Sequence, residues 1–294
     1  MDIYHEQSKN NLRTGILMVL FFVVVIAIGY VFAMAYQNSS ILYFAVIFSV
    51  GMNFFSYWYS DKIILAMYRA QPIVLADNAA LYRTVENLSI TAGIPMPKVY
   101  IIPDLAPNAF ATGRNKDHAA VVVTEGLLSM LNQTELEGVI AHELSHIGNK
   151  DILISTIVVV LVGFVSILSH MFLRVSFFGG RRSNDREGGS NAIFMVIGLV
   201  LAILAPIAVT LIQLAISRKR EYLADASGAL LTRYPEGLAS ALAKIGAYSG
   251  QLAHANNATA HLFISNPFGN RKISMLFSTH PAIEDRIRIL RGMK

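Results

Sequence analysis

Residues 133–151, QTELEGVIAHELSHIGNKD, decide how the rest of the chain is read. Leu136, Val139, Ile140, Leu144 and Ile147 recur at i, i+3, i+4, i+8 and i+11, the spacing of one helix face. Asn132 or Thr134 is placed to cap the start, each with a glutamate three residues on (Glu135, Glu137), and Gly148-Asn149 closes the end. The pattern predicts a capped amphipathic helix over 133–147.

Within it stands His142-Glu143-Leu144-Ser145-His146. Histidines four apart lie one above the other on a helix, so both imidazoles reach one metal ion. Glu143, one residue on, projects about 100° round the helix, where it meets a metal-bound water without being a ligand. Zinc lowers that water's pKa towards about 7 and polarises a carbonyl, while the carboxylate takes the proton and delivers it to the leaving amine. This is the HExxH arrangement of zinc peptidases.

A third protein ligand is needed to leave one position open. The pattern with a third histidine six residues after the second fails, since Asn149 and Ile152 stand where Gly and His belong. A carboxylate from a second helix is the alternative, and Glu221 in Arg218-Lys219-Arg220-Glu221-Tyr222-Leu223-Ala224-Asp225 fits. Asp225 follows one turn later on the same face, where it can accept the outer N–H of a liganding histidine. The plainer reading of Glu221, a surface residue paired with a neighbouring cation, stays open on spacing alone.

Working outward, the composition is 54% hydrophobic and 15% charged with mean hydropathy +0.50, against about 25% charge in a soluble domain. No Asp, Glu, Lys or Arg occurs over 14–60, 152–173 or 188–217. A bilayer core of about 30 Å takes roughly 20 apolar residues. The first gap, split by Gln37-Asn38-Ser39-Ser40, therefore holds two spans, about 15–36 and 41–59, the second ending in the interfacial aromatics Tyr57-Trp58-Tyr59. The first run is about twice the length of a signal peptide's apolar core and reads as a retained anchor.

The other two gaps read as a second hairpin over 152–217, with Pro206 placed to kink its last run and a flexible glycine-rich loop over 174–190. A core hairpin of a soluble domain is the competing reading of these two runs. Lys9 and Arg13 before the first span, and Lys62 and Arg69 after the second, put both ends of the first hairpin on the cytoplasmic side. Arg174, Arg181, Arg182 and Arg186 oppose an external loop between the later runs. A zinc site cannot be split by a bilayer, so if Glu221 is to meet His142 the second hairpin crosses an even number of times.

The domain plan is then a hairpin over 1–60, a first protease part over 61–151, the second hairpin over 152–217 and a second protease part over 218–294. The polar segments read as a helix over 76–90, strands over 98–102 and 119–123 with the extended piece 108–113 between them, and helices over 218–231, 235–248 and 281–290. Absence of cysteine excludes disulfides, thiolate metal sites and cysteine nucleophiles. The tail from 218 is basic, which suits an anionic membrane surface. No basic patch interleaved with aromatics points to nucleic acid. His118, His170, His254 and His261 read as structural or exposed.

Two amino-terminal spans, HExxH, an apolar hairpin and ExxxD in an Arg-Glu-Tyr-Leu-Ala-Asp setting together resemble the HtpX family of bacterial membrane zinc metalloproteases, over essentially the whole chain. Asn108-Ala109-Phe110-Ala111 and the late His280-Pro281 followed by Arg286-Ile287 match the family's pattern as well. The resemblance implies an α+β membrane protein: a mainly helical gluzincin-type zinc protease domain with a small β-sheet and four transmembrane helices. It implies an active site on the cytoplasmic side of the inner membrane and degradation of damaged or misassembled membrane proteins, within a stress response. On it, His142, His146 and Glu221 hold one Zn2+ per subunit, Glu143 is general base and acid, and Asp225 supports a histidine. Asn108, Ala109, Phe110, Ala111 and Thr112 are the edge strand on which an extended substrate adds. His280 or Arg286 stabilises the oxyanion or orients Glu221.

The expected partners are polypeptides, membrane proteins above all, and the lipid bilayer; oligomeric state is left open. Two rival readings are a non-proteolytic scaffold or transporter and a zinc protease that trims prenylated peptides. Transporters carry polar residues inside broken spans, whereas here the ionisable motifs lie outside the apolar runs. Because an unrestrained protease would harm its own membrane, the linker over 251–270 is expected to gate the cleft.

Overall fold

The computed structural model describes residues 3–35, 37–164, 218–256, 258–268 and 281–293. Two long apolar helices open the chain, α1 (Ile3–Ala35) and α2 (Ser40–Met67), and pack on each other as a hairpin. Leu12–Met34 and Ser40–Met67 are each long and apolar enough to cross a membrane. Gly29 makes their contact close: a Cβ there would stand 2.3 Å from the Ala45 methyl. α2 runs about two turns past the predicted end at 59, because Asp61 and Lys62 are tolerated where the helix leaves the apolar layer.

After the hairpin come β1 (Gln71–Pro72), α3 (Ala79–Ala92), β2 (Lys98–Ile102), β3 (Ala109–Gly113), β4 (Ala119–Thr124) and the short α4 (Glu125–Met130). The four strands form one sheet in the order β1-β2-β4-β3. β2 and β4 are parallel, Lys98 opposite Ala120, while β3 returns antiparallel on β4 with Ala109 opposite Val123. β3 is therefore an edge, as expected of residues 108–112; β1 and α4 carried no sequence signal of their own.

The patterned stretch forms α5 (Gln133–Gly148). Asn132 is the cap: its side chain accepts from Glu135 N–H and the Glu135 side chain accepts from Asn132 N–H, a reciprocal pair of about 1 kcal/mol. Lys244 reaches the same glutamate at 2.7 Å and ties α8 (Pro235–Ala247) to this end. Val139, Ile140 and Leu144 of α5 are buried with Leu81, Val85, Val121, Val123, Leu238 and Leu242, the core between the sheet, α3 and α8. Gly138 permits that approach, since a Cβ would lie 2.5 Å from Leu238 N.

α6 (Asp151–Phe164) follows α5 after a bend of 84° and is the start of the third apolar run. Its Ile154, Ile157, Val158 and Leu161 pack with Leu17 and Phe21 of α1, so α6 links the end of α5 to the amino-terminal hairpin. The remainder of that run, the loop 174–190 and the fourth run lie outside the described residues, as does His170. The later described helices are α7 (Arg218–Thr232), α8 and α9 (Ile283–Arg291). Tyr68, at the end of α2, packs with Phe110 and Phe263 at ring separations of 6.1 and 5.1 Å, and Arg114 lies over the Trp58 ring at 4.4 Å. These contacts seat the sheet edge on the exit of the second span.

Candidate metal centre and catalytic cleft

α5 and α7 build the site. On α7, Glu221, Asp225 and Gly228 follow one another at i, i+4 and i+7 and so share a face. Gly228 lets that face lie against α5, because a Cβ there would stand 3.0 Å from His142 N. The result brings His142, His146 and Glu221 together, one ligand atom of each lying within 4.8 Å of the others.

His142 Nε2 and His146 Nε2 are 3.2 Å apart. Glu221 places one carboxylate oxygen 3.9 Å from His142 Nε2 and the other 3.6 Å from His146 Nε2. Ligands about 2.0–2.1 Å from a tetrahedral ion stand about 3.3–3.4 Å apart, so contraction of a few tenths of an ångström on the carboxylate side makes the cage. Both outer nitrogens are turned to carboxylates: His142 Nδ1 lies 2.9 Å from Asp225 Oδ1, and His146 Nδ1 lies 3.0 Å from Asp151 Oδ2. With Nδ1 protonated towards these acids, two bare Nε2 lone pairs face each other, an arrangement a shared cation satisfies. Four carboxylates, Glu143, Glu221, Asp225 and Asp151, face two guanidiniums, Arg220 and Arg286, so acids outnumber the fixed cations around the two imidazoles.

The environment separates the roles. Burial pushes His142 below the usual histidine range, outweighing the pull of Asp225. Burial acts on His146 in the same direction, but the Asp151 hydrogen bond and the Glu221 charge overcome it and raise its pKa to about 9. Burial raises the Glu143 carboxyl to about 7, with the His146 charge opposing. A carboxylate poised there suits proton transfer near neutral pH. Asp225 is buried too, yet the guanidinium of Arg286 holds its carboxyl below the ordinary value.

Arg286, fully buried on α9, clasps Asp225 with Nε and Nη2 at 2.8 and 2.7 Å and sends Nη1 to within 3.6 Å of Glu221. It thereby ties α9 to both acids of α7. His280 lies outside the described residues. Asp151 is a site residue that the sequence reading missed; the available signal was an acid five positions after His146, at the first residue of the next helix. Among the other histidines, His261 bonds the Ser155 carbonyl at 3.1 Å and His118 bonds Asn115, both structural.

β3 borders the site, and the Glu143 carboxylate accepts a hydrogen bond from the Ala111 backbone. Its outward edge is not bare. Ile264 N–H donates to the Ala109 carbonyl at 3.0 Å, the Asn108 side chain donates to Ser265 O, and Gly113 N–H faces the Thr156 hydroxyl of α6 at 3.5 Å. The described part of the 251–270 linker thus runs along the outward edge of β3, and Arg286 Nη1 bonds Ile264 O at 3.2 Å.

This site lies inside the stretch 75–294, which matches the model of peptidase family M48. The chain belongs to peptidase family M48. Relatives within it include the "Protease HtpX homolog" of Desulfatibacillum aliphaticivorans, 55% identical over 85% of this chain and 80% of that one. The homologue from Caldanaerobacter subterraneus is 47% identical over 99% and 98%, and that from Pyrococcus furiosus 51% over 95% and 94%. Among solved structures, S. mikatae Ste24p matches with a TM-score of 0.50 at 18% identity, over 97% of this chain and 66% of that one. The likeness to Ste24p speaks for the fold alone. As an M48 family member with apolar helices of spanning length, the chain is a membrane metalloprotease.

Proposed function

We propose that this M48 peptidase is an integral-membrane zinc endopeptidase acting from the cytoplasmic side of the inner membrane on damaged or misassembled membrane proteins. The convergence of His142, His146 and Glu221 beside the buried Glu143 carries the reading. Bound zinc would supply a Lewis acid for the scissile carbonyl and make a water acidic enough to attack at neutral pH.

The chain's own residues do the rest. Asp225 and Asp151 hold the two imidazoles with their outer nitrogens protonated, so that Nε2 is the donor atom. Glu143, held at about 7 by burial, takes the proton of the attacking water and returns it to the departing amine. β3 offers main-chain groups to an extended polypeptide, whose addition there requires Ile264 to give way. The helices α1, α2 and α6 keep this cleft close to the bilayer, which favours substrates already in it.

The reading is tested on detergent-purified enzyme and on proteoliposomes, comparing wild type with Glu143→Gln. Wild type is expected to bind one zinc and cleave casein and a co-reconstituted misfolded membrane protein, while Glu143→Gln keeps the zinc and loses cleavage. Equal cleavage by both would refute the role given to Glu143.

A further inference from the structure

The two candidate zinc-binding histidines are supported in parallel ways. Behind His142 stands Asp225, and behind Asp225 stands Arg286, contributed by α7 and α9. Behind His146 stands Asp151, 3.0 Å away, and Arg220 Nε lies 3.9 Å from the other Asp151 oxygen. Asp151 and Arg220 are 3% and 5% exposed, so neither contact is a loose surface pair.

Their places in the chain set this second relay apart. Asp151 is the first residue of α6, where the polypeptide enters the apolar insert, and Arg220 is the third residue of α7, where it has returned. Only Asn149 and Lys150 separate α5 from α6, and the chain bends by 84° between the two helices. Lys150 holds φ at +59°, a left-handed conformation that a side chain normally avoids. That turn delivers the Asp151 carboxylate back to the outer nitrogen of a histidine five residues earlier.

We propose that Asp151 is a positioning residue for His146 and that Arg220 fixes Asp151. Together they make metal affinity depend on both ends of the membrane insert being seated. The proposal rests on the zinc site proposed above. The carboxylate sets the tautomer and ring orientation of His146 and strengthens its lone pair. Loss of such an outer partner typically weakens metal binding about 10- to 100-fold.

The test uses the full chain in detergent, carrying Glu143→Gln to prevent self-cleavage, with zinc affinity measured by chelator competition and melting followed without metal. Asp151→Ala is expected to weaken zinc binding about 10- to 100-fold, with Asp151→Asn intermediate because its amide oxygen still accepts from Nδ1–H. Arg220→Ala, which leaves the acid in place, is expected to weaken binding by no more than the lower end of that range, about 10-fold. The metal-free melting temperatures of Asp151→Asn and Arg220→Ala are expected to stay close to the parent's, which separates positioning from general instability. If Asp151→Ala does not fold, these two variants decide. Parent-like affinity in Asp151→Asn and Arg220→Ala would overturn the proposal. A parent that takes up no zinc at all would overturn the zinc reading itself, a failure recognisable before any Asp151 variant is compared.

Discussion

The main-chain N–H of Ile264 donates to the carbonyl of Ala109 at 3.0 Å, on the open side of the edge strand that borders Glu143. A peptide adding to β3 needs that carbonyl, because β-augmentation works through main-chain hydrogen bonds. The segment around Ile264 is held further back by Tyr68, whose hydroxyl bonds that of Thr259. Thr259→Val removes this tie, worth about 0.5–1.5 kcal/mol. It should raise kcat/KM for a short peptide about 2- to 10-fold with zinc content unchanged. No rise would make the segment a fixed wall rather than a gate.

Tyr68 also gives the fold a measurable alkaline signature. Burial outweighs the Thr259 hydrogen bond and pushes the phenol up to about 12 from 10. Below pH 10 it is neutral in both folded and unfolded chains. Above pH 10 the unfolded chain ionises while the folded one resists, so stability falls as pH rises from about 10 to 12. The loss is at most about 2.7 kcal/mol, two units at 1.36 each. Denaturation midpoints against pH should show this slope in the wild type and lack it in Tyr68→Phe.

Two glycines of the catalytic unit should fail in different ways. At Gly138 a methyl meets the backbone of α8 at 2.5 Å, and α8 carries none of the three candidate ligands, so Gly138→Ala should cost about 1–3 kcal/mol of stability through overpacking. At Gly228 a methyl meets the backbone at His142 at 3.0 Å and moves α7, which carries Glu221, off α5. Gly228→Ala should therefore weaken zinc binding more than it lowers the melting temperature. Equal effects on zinc in the two variants would count against α7 approach as the determinant of ligand geometry.

The four-span reading, in which the insert crosses twice, makes a further prediction for it. A single cysteine at Ser183, in a chain that has none, should be labelled from outside intact cells by an impermeant maleimide. Labelling only after the membrane is opened would mean that the third and fourth apolar runs do not cross.

Much of the site was legible because its logic is local. Four-residue spacing puts His142 over His146 and Glu221 over Asp225, and the Asn132–Glu135 cap fixes where the helix starts. The strands at 98–102 and after 119 were legible from β-branched runs packed on both faces. What escaped depends on residues distant in sequence. Nothing near Ile264 signals that it pairs with Ala109, more than 150 positions earlier. Arg286 lies more than 60 positions after Asp225, so nothing local in the sequence signalled its clasp. Asp151 read as a domain boundary because its partner lies across a turn that only the φ of Lys150 makes sharp. The extension of α2 to Met67 was hidden because charges at 61 and 62 mark the edge of the bilayer, not the end of a helix.

His142, His146 and Glu221, which flank the apolar insert, are proposed to hold one zinc ion. X-ray absorption at the zinc edge, on protein loaded with one equivalent, tests it most directly. The account predicts two imidazole nitrogens at about 2.0–2.1 Å and light oxygen ligands at about 2.0–2.2 Å, one of them the Glu221 carboxylate. One imidazole should vanish in His146→Ala, and the zinc should be lost in Glu221→Ala while the fold is retained. A shell without imidazole, or one unchanged by both substitutions, would contradict it.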